Sequence, residues 1–291
     1  MSLFENSITY TFNFWKENIS KIFLYQLLFL LVYGLSVFVI IIGLIFFFFV
    51  AFPLSLIPFA ILAGIGFILL LVFNYVQLAG YSLMVKRVRE KKEIEVVEIF
   101  KECFKKSHKI LAVGILQSLP MIVLSVLIVI VLLTLVFNVL IPTFSSVSVP
   151  TAGAILPFLR PTGMAIFPSG ITSFLPHLIL LTIVVGIIAW YLSLRIWLSL
   201  PVFMIERKGC VESVKESWRI TQGKVWSSFF TTVALGLIVW VIEFIIEFPF
   251  NIAGVPFIGQ IITFLVFTPL SLILPTAYYY SIKMEGRKKQ E

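Results

Sequence analysis

The sequence predicts an all-α integral membrane protein with six transmembrane helices, and three observations carry that prediction. Hydrophobic residues make up 60% of the chain and charged residues 12%, against roughly a quarter charged in soluble domains. No charged residue occurs between Lys21 and Lys86, Lys109 and Arg160, Arg160 and Arg195, or Glu247 and Lys283. A crossing needs roughly 20 apolar residues, so residues 22–85 alone hold two. Of the 22 Lys and Arg, all but Arg160 and Arg195 fall on the side that carries both termini. The positive-inside rule makes that side the cytoplasm.

Taken in order, the spans are expected at about 22–50, 60–84, 110–140, 178–204, 225–248 and 261–282, in one six-span domain over residues 1–291. Pro53 and Pro58 bracket the first external turn. Gly64 and Gly66 allow close helix approach in the second span. Pro120 in the third span and Pro269 and Pro275 in the sixth are kink sites. Residues 141–177 carry prolines at 142, 150, 157, 161, 168 and 176. That segment is too proline-rich for a continuous helix and reads as an external loop folded over the bundle. The N-terminal apolar run is far longer than a signal-peptide core, so no cleaved leader is expected. Cys103 and Cys210 both fall on the cytoplasmic side, where a disulfide is not expected.

Three short amphipathic helices are expected along the cytoplasmic interface, each leading into a helical hairpin. Ile8, Phe12, Trp15 and Ile19 recur at helical spacing in the first, and Val97, Phe100 and Phe104 in the second. Aligning Trp15, Phe104 and Trp218 puts Ile8, Val97 and Val211 seven residues before each, with Lys21, Lys109 and Lys224 following. This pattern suggests a threefold repeat of interfacial helix plus hairpin, although any amphipathic helix entering a span produces a similar match.

The most informative stretch runs from Tyr191 to Trp226, YLSLRIWLSLPVFMIERKGCVESVKESWRITQGKVW. It resembles the membrane-domain family of glycerophosphoryl diester phosphodiesterase and its six-span relatives. The positions that carry the resemblance are Arg195, Pro201, Glu206, Ser217, Trp218, Thr221 and Gly223. What it implies is a six-span membrane part. The phosphodiesterase activity belongs to a separate soluble domain in fused relatives and is not implied for this chain.

Polar residues within the spans are the candidate site. Arg195 lies 11 residues before Glu206, hence about 16 Å deep at ~1.5 Å per residue. Inserting such an arginine costs roughly 2.5–3.5 kcal/mol, so it needs partners. Asn74, Gln77 and Gln117 count to similar depths, about 12–18 Å, which predicts an intramembrane polar layer organised by Arg195. A structural clamp explains that layer as well as a ligand site does. Outside it, Arg160, Glu243 and Glu247 form an external charge cluster, with the loop expected to bring Arg160 to a carboxylate. The paired glutamates suit acid–base chemistry but equally suit a wet headgroup zone.

No aspartate occurs in the chain. His108 and His177 are isolated, and no hydrolase, zinc, Walker or dinucleotide motif is present. No catalytic residue, metal site or cofactor is therefore expected. The net charge of +8 follows topology rather than a nucleic-acid face. The expected partners are membrane lipids, including anionic headgroups, and not nucleic acid. The resulting expectation is a non-enzymatic, multi-pass protein of the cytoplasmic membrane that handles lipid or small solute or scaffolds a membrane partner. The alternative is an intramembrane enzyme acting on lipid headgroups through Glu243 and Glu247.

Overall fold

The computed structural model describes residues 3–49, 56–135 and 171–288, and every described element is helical. Eleven helices occur among the described residues: α1 (Leu3–Glu17), α2 (Ile19–Phe49), α3 (Leu56–Arg89), α4 (Val96–Lys105), α5 (Ser107–Leu135), α6 (Ile171–Ile196), α7 (Ser199–Glu206), α8 (Cys210–Ile220), α9 (Val225–Ile252), α10 (Pro256–Val266) and α11 (Thr268–Lys288). Six stretches are long and apolar enough to cross a membrane: 19–45, 57–89, 107–133, 179–206, 225–252 and 256–285. Their outer surfaces expose large apolar side chains such as Leu31, Phe38, Ile61, Phe67, Trp240 and Phe244. Such a surface is stable only against lipid or another apolar partner.

Two expectations change. Helix α6 already begins at Ile171, so residues 171–177 are helix rather than loop. Pro176, the sixth residue of this helix, gives up the hydrogen bond to the Thr172 carbonyl without ending the helix. The fourth and sixth spans are also not continuous. The fourth breaks at Trp197–Leu198, between α6 and α7, and the sixth at Phe267, between α10 and α11. Pro269, two residues past the second break, lacks the N–H that a continuous ladder would use. Pro58, expected to close the first external turn, instead lies in the first turn of α3, whereas Pro53, most of the 141–177 loop and Arg160 lie outside the described residues.

The chain forms two compact units, residues 1–117 with 194–291, and residues 118–193. In the smaller unit the described parts of α5 and α6 approach where a Cβ at Gly186 would reach ordinary contact with Leu124. In the larger unit α2 packs on α3, α1 on α11, α9 on α10, and α3 on both α7 and α11. Its core collects Tyr25 and Phe29 of α2, Val76, Tyr81 and Met84 of α3, Ile99 of α4, Ile110 of α5 and Leu200 of α7. These residues lie toward the basic ends of the spans, where the charge-bearing segments join them.

A short helix of 10–15 residues stands before each of the three span pairs. Of the stripe residues, Phe12, Trp15 and Phe100 pack partly buried against the core, whereas others do not. Helix α4 buries Val96, Ile99 and Cys103, whereas Val97 and Phe104 are exposed. Helix α1 buries Ser7, Thr11 and Phe14, and α8 buries Ser213 and Ser217 while Val211 and Trp218 are exposed. On α1 and α8 serines and a threonine take inward positions, where small side chains let helix backbones approach closely. Periodicity could not separate two competing stripes on helices this short.

Candidate functional site

Both helix breaks free backbone carbonyls inside stretches apolar enough to span a membrane, where a bare carbonyl is a liability of several kcal/mol. At the first break, Ser217 Oγ donates to the Arg195 carbonyl at 3.0 Å, and Thr221 Oγ1 lies 3.0 Å from the same carbonyl while sharing its one proton with the Ser217 carbonyl at 2.8 Å. Ser199 Oγ donates to the Ile196 carbonyl at 2.6 Å, and Gln117 Nε2 to the Trp197 carbonyl at 3.1 Å. At the second break, Gln26 Nε2 donates to the Phe264 carbonyl at 2.8 Å and Trp15 Nε1 to the Val266 carbonyl at 2.7 Å. Neighbouring side chains thus do what the next helical turn would have done.

The Arg195 guanidinium lies over the Trp218 ring, 4.4 Å from its centroid, and the residue is buried. A desolvated cation on an indole face contributes about 2 kcal/mol, comparable to the insertion cost of the charge. Arg195, Ser217, Trp218 and Thr221 therefore meet in one cluster that joins α6 to α8. Pro201 is buried in the first turn of α7, where a missing N–H costs little. Gly223 has φ 74°, a left-handed backbone that favours glycine.

Glu206 closes α7 and accepts from Tyr279 Oη at 2.5 Å, from Lys283, and from Lys208 at 2.6 Å. Lys208 also reaches Glu216 at 3.1 Å, which Arg219 contacts at 2.7 Å. Burial pushes the Glu216 carboxyl up, but hydrogen bonds from Arg219 and Lys208 outweigh it and hold the group below its ordinary 4.5. A lowered folded-state value stabilises the fold above 4.5, and that stability is lost as pH falls through the folded value. Scanning thermal unfolding from about pH 6 to about pH 3 should show a decline that Glu216→Gln flattens. Parallel declines in the two proteins would refute this role. Cys103 is buried, and that burial pushes its thiol up to about 12, so it is not a reactive thiolate.

Of the remaining amides, Gln77 Nε2 donates to Gln26 Oε1, and Tyr33 Oη donates to Gln77 Oε1 at 2.9 Å. Gln77 and Gln117 thus sit in separate networks, one beside each break. Asn74 is exposed and, with Gln77 and Tyr33, lines a groove of about 510 Å³ whose other walls include Leu30, Phe67 and Phe264. One residue before Phe264 of the second break, Thr263 Oγ1 donates to Glu247 at 3.0 Å, and Glu243 lies one turn away on α9. Sequence reasoning had missed Gln26 and Tyr33. Gln26, an amide inside a span five residues past Lys21, carried the same signal as Gln77. Tyr33 could be found only through its partner.

The fold and these sites define a class: an all-helical, multi-pass membrane protein whose fourth and sixth spans are interrupted and capped by side chains. Residues 171–285 match the family described as the membrane domain of glycerophosphoryl diester phosphodiesterase. That is the family the Tyr191–Trp226 motif resembles, and the match covers the motif entirely and both interrupted spans. No curated protein and no solved structure matches the chain.

Proposed function

We propose that the protein is a non-enzymatic lipid-handling protein of the cytoplasmic membrane, with both termini cytoplasmic. In this reading the groove beside the second break takes the uncharged polar region of a lipid, and its acyl chains lie on the apolar wall. The observation that carries it is the pairing of exposed Asn74 with hydrogen-bonded Gln77 and Tyr33 in an otherwise apolar groove within the spans. Irregular backbone at membrane depth is tolerated where it is buried in protein or lines a cavity, and the Phe267 break adjoins this one. Amides and a phenol offer donors and acceptors without charge, which suits ester and hydroxyl groups better than a phosphate. The exposed apolar sides of α4 and α8 would then rest on the headgroup layer with their lysines among the phosphates.

Reconstitution of the full chain into liposomes tests the reading, with a fluorescent phosphatidylcholine for transbilayer movement and an entrapped solute for leakage. Lipid movement without solute release is the expected result. Loss of one good hydrogen bond in Asn74→Leu should slow it roughly tenfold. Solute flux alone would point to a solute pathway, and neither activity to scaffolding; either result overturns the lipid assignment.

A further inference from the structure

A second cavity, about 680 Å³, opens where the α4–α5 junction meets the loop joining α7 to α8. Four cations line it, Lys106, Lys109, Arg207 and Lys208, against an apolar wall that includes Phe203 and Met204. Two of the cations are already anchored. Lys106 reaches Glu102 at 2.8 Å, and Lys208 is shared between Glu206 and Glu216. Among the described residues, neither Arg207 nor Lys109 has a carboxylate within ion-pair distance, and no carboxylate lines the cavity. Glu102, Glu206 and Glu216 neutralise the flanking lysines, and the charged groups that line the cavity itself are all cations, so it is complementary to an anion.

The backbone carries Arg207 into the cavity lining. Arg207 has φ 56° and ψ 31°, the left-handed region that non-glycine residues rarely adopt, at the point where the chain leaves α7. A left-handed residue commonly ends a helix, and here it turns the chain so that Arg207 and Lys208 both line the cavity. Here the loop is held on one side by Lys208 bridging Glu206 to Glu216. On the other, Lys86 Nζ donates to the Ile205 carbonyl at 2.8 Å.

We propose that this cavity binds the phosphate group of an anionic ligand, with Arg207 and Lys109 as its direct partners and Lys106 and Lys208 as fixed flanking charges. A planar guanidinium matches two phosphate oxygens at once, and an ammonium adds a point charge. The apolar wall beside the cations suits the glycerol and first methylenes of a phospholipid. A lipid phosphate monoester and a soluble phosphate share the recognising chemistry. The site stands apart from the groove, so it survives or fails independently of lipid movement.

The test is calorimetric titration of the full chain in nonionic detergent with dihexanoyl phosphatidic acid, dihexanoyl phosphatidylcholine and inorganic phosphate. Binding of phosphatidic acid is expected, with phosphatidylcholine much weaker. Inorganic phosphate binding as tightly would assign the site to soluble phosphates; weak phosphate binding would assign it to lipid. Arg207→Gln with Lys109→Gln should weaken binding roughly 30-fold, whereas Lys101→Gln with Lys105→Gln, the same charge loss on exposed α4 positions, should leave it unchanged. Arg207→Gly separates binding from folding. It removes the left-handed strain, so its unfolding midpoint should equal or exceed that of the wild type while affinity falls several-fold. Equal affinity for phosphatidylcholine, no binding of either phosphate ligand, or an equal loss in the α4 control pair would each overturn the site.

Discussion

Gly80→Ala should destabilise the protein by about 3 kcal/mol, the upper end of what overpacking a core costs. A Cβ at this position of α3 would fall inside the van der Waals radii of Tyr25 Oη and Cζ. The ring cannot simply step aside. Tyr25 is fully buried, its hydroxyl donates to the Val76 carbonyl at 3.3 Å, and its ring packs 4.9 Å from Phe29 and 5.3 Å from Tyr81. A methyl group at Gly80 therefore has to part α2 from α3, two of the most extensively packed helices in the larger unit. Denaturant unfolding in detergent measures the effect, and a second-site Tyr25→Leu should recover much of it through coupling of contacting residues. An unfolding midpoint equal to wild type for Gly80→Ala would show that the helices are not so closely apposed.

Combining Ser217→Ala with Thr221→Val is the second large effect, about 3 kcal/mol. Both hydroxyls lie 3.0 Å from the Arg195 carbonyl, that of Thr221 shared with the Ser217 carbonyl at 2.8 Å, and both residues are fully buried. Removing one donor costs about 1 kcal/mol. Removing both also leaves a desolvated carbonyl at the end of α6 without these partners, which adds about 1–3 kcal/mol. The loss should therefore be more than additive, and a double-mutant cycle measures the excess. A strictly additive pair, or a total below about 1 kcal/mol, would mean that another group satisfies this carbonyl.

Composition and charge placement were enough to read six apolar crossings, because a bilayer imposes a length requirement that no soluble packing imitates. The residues of the Tyr191–Trp226 motif were equally legible as a group. What joins them in space was not, since it lies in a break: Ser217 and Thr221 sit where α6 ends at Ile196 and leaves a carbonyl to satisfy. Hydropathy runs straight through that point, as it does through Phe267, and so gave continuous spans. Depth counting put Asn74, Gln77, Gln117 and Arg195 in one layer, but depth along a helix says nothing about rotation around it. Gln77 turns toward Gln26 and Tyr33, while Gln117 turns toward Trp197 and Ser199.

What the sequence determined alone is what one-dimensional physics decides: which segments are apolar enough to span, where charge ends them, and that amides and an arginine within them need partners. Which partners they find, which of two stripes on a ten-residue helix faces inward, and where a span breaks were decided only in three dimensions. Each depends on the energy of packing small residues against a neighbouring helix and of satisfying buried carbonyls from another part of the chain. The convergence of Lys106 and Lys109 with Arg207 and Lys208 is of the same kind, because segments about a hundred residues apart meet only once the spans have packed.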